Sequence, residues 1–143
     1  MNLKDEIGTN EDLIRYRMQT AREDLQSAIR SLEAGDLRTA NNRAYYAVFH
    51  AMTACLGFEN KGFKTHAQTI GTFNKDFVHT GIFANDMVKK INSIKDVRQL
   101  SDYKDYYVLS EDETRRQVEL AKGIVPVIGE YVENRIQEEK AGS

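Results

Sequence analysis

Apolar residues recur three and four positions apart along most of this chain, and that spacing admits one kind of secondary structure. Ile14, Met18, Ala21, Leu25, Ala28 and Leu32 step by four, three, four, three and four, which keeps them on one face of a helix that turns every ~3.6 residues. Thr9 or Asn10 is placed to cap that helix, and Gly35 to end it in the left-handed conformation that other residues avoid. A first helix is therefore read over about residues 10 to 34.

The second helix is read from an Asp36 cap to about Leu56, with Gly57 closing it. It carries two stripes. Leu37, Ala40, Ala44, Ala47, Ala51 and Ala54 form a narrow one of mostly small side chains, while Tyr45, Phe49, Met52 and Leu56 form a bulky one. A helix apolar on two faces is surrounded by other helices, so this one is expected at the centre.

Thr65-His66-Ala67-Gln68 has the Thr-x-x-Gln form of a capping box and opens a third helix along Ala67, Ile70, Phe73 and Phe77, ending near His79 to Gly81. A fourth follows Met87, Ile91, Ile94 and Val97 from about Phe83–Asp86 toward Tyr103. Ser110-Glu111-Asp112-Glu113 is a second capping box, opening a fifth helix along Val118, Ala121, Val125, Ile128, Val132 and Ile136. Pro126 lies inside this last helix and predicts a kink near Gly123 to Pro126, because proline removes a backbone donor and crowds the carbonyl four residues earlier. The fold class expected is all-α, an up-and-down bundle of four to five helices.

At 143 residues the chain is read as one domain, with flexible ends at about residues 1–9 and 137–143. Its 41% apolar content fills a single core unaided. With 20 Lys+Arg against 22 Asp+Glu, no global field draws it to nucleic acid, so any such contact must be local. The single cysteine, Cys55, forms no internal disulfide and has no zinc-ligand neighbours, so no metal and no cofactor is expected. The opening MNLKDEIG has no apolar run of signal-peptide or membrane-span length, and a cytoplasmic, non-membrane protein is the expectation.

Two patches can carry chemistry. In the second helix Arg43, Tyr46 and His50 stand at i, i+3 and i+7, a polar line on an otherwise apolar rod with Asn41 and Asn42 beside it. Arg43 can hold a phosphate and His50 can exchange protons; equally, Arg43 can pair with an acid on a neighbouring helix while Tyr46 and His50 pack. In the fourth helix Arg98 and Asp102 are four apart, with Tyr103, Tyr106 and Tyr107 following. That reads either as a surface ion pair contributing ~0.2–0.5 kcal/mol or as a fixed guanidinium beside stacking aromatics, suited to a phosphate and a base. His66 reads as an extension of its helix cap, His79 as a helix-end cation, and Lys61, Lys64, Lys89, Lys90 and Lys95 as solvated surface. Glycine-rich phosphate loops, nucleophile elbows and His-Glu-x-x-His pairs are absent.

The run Asn42-Arg43-Ala44-Tyr45-Tyr46-Ala47-Val48-Phe49-His50-Ala51, with Ala21-x-x-Asp24-Leu25, Lys64-Thr65-His66 and Val97-Arg98-x-x-Ser101-Asp102-Tyr103, resembles the HEPN superfamily from about residue 10 to 135. The resemblance is closest to its stand-alone prokaryotic branch. It implies a helical bundle that commonly forms homodimers, often beside a minimal nucleotidyltransferase partner in a toxin–antitoxin or defence system, and that binds a nucleotide or RNA. Taken with the two patches above, the residues expected at such a site are Arg98, Asp102, Tyr103 and Tyr106, with Arg43 and Tyr46 as further candidates. Many members are metal-independent ribonucleases with an Arg followed after four to six residues by His. Arg98 matches the Arg, but Asp102 stands where the His is expected, and an ionised Asp is a poor proton shuttle at neutral pH. The spacing Arg43-x6-His50 fits the pattern literally but falls in the small-residue central helix. An endoribonuclease using Arg98 with His50 or Asp102, and a non-catalytic protein-interaction module, are the alternatives.

Overall fold

The computed structural model describes residues 9–59, 65–103 and 107–142, the side chain of Tyr103 excepted. Lys61, Lys64 and Tyr106 lie outside the described residues. The chain forms α1 (Asn10–Glu33), α2 (Leu37–Leu56), one 3-10 turn (Gly57–Glu59), α3 (His66–Phe73) continuing into a π-helical turn (Asn74–Val78), α4 (Asp86–Tyr103) and α5 (Glu111–Ala141). The fold is all-α, with no strand among the described residues.

Local chemistry explains each boundary. Thr9 caps α1 in a reciprocal box: the Asp12 N–H donates to its hydroxyl at 3.1 Å and the Thr9 N–H donates to the Asp12 carboxylate at 3.0 Å. Gly35 takes φ 77°, and its N–H bonds to Leu32 O while the Asp36 N–H bonds to Ser31 O, so α1 ends in a Schellman turn. Asp36 then caps α2 through Thr39 N–H, which folds the first two helices back against each other. The expected box at Ser110 is only half formed. Ser110 Oγ accepts from Glu113 N–H at 3.0 Å, but the Glu113 carboxylate takes the Tyr107 hydroxyl at 2.6 Å, a charge-assisted bond that holds it away from the cap.

The central helix is α2, packed against α1, α3, α4 and α5. Ala40, Ala44, Ala47, Ala51 and Ala54 are wholly buried, and their small side chains let neighbouring backbones approach. Gly57 marks the tightest approach: a Cβ there would lie 2.7 Å from Ile14 Cγ1. Asn41, also buried, donates to Thr114 Oγ1 at 2.7 Å and so ties α2 to α5.

The third helix ends near His79 as expected, though not as an even α-helix: after Phe73 it widens into a π turn, and the extra residue per turn turns both Phe77 and Val78 inward. Phe73, Phe77 and Phe83 then stack on one another and meet Tyr131 of α5 edge-on, with ring centroids 5.4–6.3 Å apart. Pro126 lies within α5, which is helical from Glu111 through Ala141. Pro126 and Lys122 are both exposed, so the carbonyl that loses its helical donor belongs to a residue that water reaches. Among the described residues no helix is long and apolar enough to cross a membrane.

Candidate functional site

The polar line of α2 lies where α1, α3 and α4 converge on it. On the α1 side, Asp24 receives Arg43 Nη1 at 3.1 Å on Oδ1 and faces His50 Nε2 at 3.6 Å with Oδ2. Arg43 also donates to Asn42 Oδ1 at 2.7 Å, and its guanidinium carbon stands 5.4 Å from the centre of the Tyr46 ring. On the α4 side, Arg98 Nη2 donates to the Tyr46 hydroxyl at 3.3 Å, and Arg98 Nε stands 2.7 Å from Asp102 Oδ2. The Arg98 guanidinium carbon is 5.0 Å from the Tyr45 ring centre and 5.5 Å from that of Tyr46. Tyr46 therefore joins two patches that read as separate in the sequence.

His66 completes the cluster from the start of α3. Its Nδ1 is 2.8 Å from the Tyr45 hydroxyl, and its ring centroid is 4.1 Å from that of Phe49 and 5.8 Å from those of Tyr45 and Tyr46. More than a cap extension, it is the fourth ring of an aromatic group. The Arg38 guanidinium of α2 donates to the Ser101 carbonyl in the last turn of α4 and to Ser101 Oγ, so a cation meets the negative end of the helix that carries Arg98 and Asp102.

Arg43 pairs with an acid of a neighbouring helix, one of the two alternatives for it, and both ion pairs are partly withdrawn from solvent. Side-chain exposure is 16% for Arg98 and 24% for Asp102, and 37% for Arg43 and 13% for Asp24. Such half-withdrawn pairs keep their geometry better than solvated ones. Burial pushes His50 below the usual histidine value; Asp24 opposes this, while Arg43, His66 and Arg17 reinforce it. Burial and then the Arg98 charge push His66 down as well. Both imidazoles are thus held neutral near pH 7.

Of the residues singled out in the sequence, Arg43, Tyr46, His50, Arg98 and Asp102 come together. Tyr103 closes α4, and Tyr106 lies outside the described residues. Tyr107 is bound to Glu113 instead. His79 is the C-cap of the π turn. Sequence reasoning gave no site role to Asp24 or His66. Asp24 had a visible signal, since it stands three residues after Ala21 and four before Ala28, at the edge of the buried face of α1. Among the described residues, no group of three or more His, Cys, Asp or Glu could hold a metal ion.

Comparison with known proteins adds a family. The model of the HEPN domain matches residues 14–131, which contain every residue of the cluster. The chain is similar to a UPF0332 protein of Thermotoga maritima, 30% identical over 128 residues that cover 90% of this chain and 97% of the relative. A UPF0332 protein of Archaeoglobus fulgidus is 32% identical over 101 residues, 71% of this chain and 80% of the relative. One of Pyrococcus horikoshii is 30% identical over 88 residues, 62% of each chain.

Proposed function

The chain belongs to the HEPN domain family, and from that premise we propose that it binds a nucleotide or RNA, gripping phosphate with Arg98 between the Tyr45 and Tyr46 rings. The observation that carries the reading is the fixed guanidinium. Arg98 is held at Nε by Asp102 and at Nη2 by Tyr46, so little side-chain freedom is left to lose when an anion arrives. A planar fork suits a phosphate, and phenol rings beside it offer a face to a base. Local carboxylates offset the local arginines and the formal charge is -2, so binding rests on a few phosphates and not on a long-range field.

In this reading the protein is a homodimer in the cytoplasm and works with a nucleotidyltransferase partner in a toxin–antitoxin or defence pair. The test is fluorescence anisotropy with labelled single-stranded RNA and with nucleoside triphosphates, on wild type and Arg98→Ala, each checked for folding by thermal melting. Affinity should fall at least about tenfold in the variant, and the slope of log affinity on log salt should shrink by about 0.7 for each phosphate that is no longer neutralised. Saturable binding that Arg98→Ala leaves unchanged removes Arg98 from the site. A complex with the nucleotidyltransferase that ignores both RNA and Arg98→Ala would point to a protein-interaction module.

A further inference from the structure

Among the described residues, the half-buried arginines are Arg15, Arg17, Arg43, Arg98 and Arg135. Arg15 faces Glu11 and Glu133, Arg43 faces Asp24, Arg98 faces Asp102 and Arg135 faces Glu139. Arg17 faces no carboxylate. Its Nη1 donates to the Thr53 carbonyl in the last turn of α2 at 3.1 Å, its one hydrogen bond among the described residues. The end of a helix offers a guanidinium only part of a negative charge, and most of the N–H groups of Arg17 are left over. Burial accordingly pushes Arg17 below its ordinary value, with no anion to oppose the shift. Withdrawing a charge from water without a partner costs free energy, and an arriving anion would offset that cost.

Arg17 is also in line with the Arg98 cluster. It stands two turns before Asp24 on α1, and Asp24 meets Arg43 and His50. Thr53, whose carbonyl holds Arg17, donates its hydroxyl to the His50 carbonyl at 2.7 Å. The His50 ring lies 5.9 Å from that of Tyr46, whose hydroxyl takes Arg98. From Tyr46 to Thr53 the path follows two turns of α2, ~10 Å. That is about three steps of a stacked strand at ~3.4 Å per nucleotide. The phosphates of a nucleoside triphosphate are too close together to reach both arginines, whereas the backbone of a strand can. Asp24, the acid beside this path, is mostly withdrawn from water and already neutralised by Arg43.

We infer that Arg17 is a second phosphate ligand, and that the molecule bound is a single strand of RNA laid along the α1–α2 groove from Arg98 to Arg17. The inference rests on the phosphate-binding reading of Arg98 given above. It narrows the ligand from a nucleotide or RNA to an RNA strand of at least about four nucleotides. Because Arg17 meets the backbone and not a base edge, it adds affinity without sequence preference.

The experiment compares the full chain with its Arg17→Gln, Arg17→Lys and Arg98→Ala variants, each checked by thermal melting. The probes are a labelled RNA of about eight nucleotides and labelled ATP, followed by anisotropy over a range of salt. Arg17→Gln should weaken RNA binding about three- to tenfold and shrink the slope of log affinity on log salt by about 0.7, the loss of one phosphate contact, while ATP affinity stays within about twofold. Arg17→Lys, which keeps the charge, should recover most of the slope. In the wild type the guanidinium 15N resonances of Arg17 should move on adding the RNA and stay in place on adding ATP, a readout that needs no variant. If Arg17→Gln binds the RNA with unchanged affinity and slope, or weakens RNA and ATP alike, Arg17 is not a phosphate ligand and the reading of Arg98 stands. If the wild type binds ATP as tightly as the RNA, the strand is the wrong ligand. If Arg98→Ala binds both probes as the wild type does, the reading beneath the inference fails first.

Discussion

Replacing Asp24 by Asn removes one charge from the α1 side of the cluster and nearly nothing else. The carboxylate is mostly withdrawn from water, while Arg43 is about a third exposed, so the pair falls between a solvated ion pair, which contributes ~0–1 kcal/mol, and a buried one, whose breakage costs ~3–5 kcal/mol. Asp24 Oδ2 is buried without a hydrogen bond, so part of its desolvation is uncompensated already and the substitution recovers some of it. We expect a net loss of about 1–2 kcal/mol, or about 3–6 °C in melting temperature for a chain of this size.

The loss should depend on pH in a definite sense. His50 sits below its ordinary value in the folded protein, so the stability linked to it is complete above the unfolded value of ~6.5. As pH falls from there through the folded value that stability is lost, because the unfolded chain takes up the proton first. Asp24 is the influence that raises His50. Without it the folded value drops further and the loss on acidification is larger. Thermal melts of wild type and Asp24→Asn at pH 7.5 and 5.5 should therefore show the wider gap at pH 5.5, and the His50 ring resonances should titrate at lower pH in the variant. An equal or narrower gap at pH 5.5, or a His50 titration that moves upward, refutes the placement of Asp24 against His50.

Other substitutions test the parts that hold the cluster in place. Gly57→Ala puts a methyl group into Ile14 at 2.7 Å and should cost about 1–3 kcal/mol in urea unfolding; an unchanged midpoint would show that α1 and the end of α2 are not in such close contact. Arg38→Met removes the donor to the Ser101 carbonyl and should speed amide exchange over the last turn of α4 well before it affects α5, and uniform exchange across both helices would count against the local anchor. Burial raises the Cys55 thiol far above its ordinary value, so the native protein should resist maleimide and react quickly only in guanidinium chloride. Ready labelling of the folded chain would contradict its place in the core.

The sequence discloses the helices and hides the site, and both follow from how far apart the determining residues lie. Periodicity and caps are local: Ile14 to Leu32 trace one face within a single helix, and Asp36 meets Thr39 N–H three residues on. The Glu113 carboxylate escaped because its partner, Tyr107, lies before the cap and not in the box. The cluster depends on distances across the bundle, with 19 residues separating Asp24 from Arg43, 21 separating Tyr45 from His66 and 52 separating Tyr46 from Arg98. Arg43, Tyr46 and His50 could be seen to share a face, but whether that face met solvent, an acid or a second arginine was fixed only when α1 and α4 closed over it. Tyr46 is the residue at which the two sides of the cluster meet. Its ring lies against Arg43, which Asp24 neutralises, and its hydroxyl takes Arg98. A charge change at Asp24 therefore reaches Arg98 through one shared phenol, and Tyr46→Phe, which keeps the ring and removes the hydroxyl, should loosen Arg98 while leaving the Asp24–Arg43 pair intact.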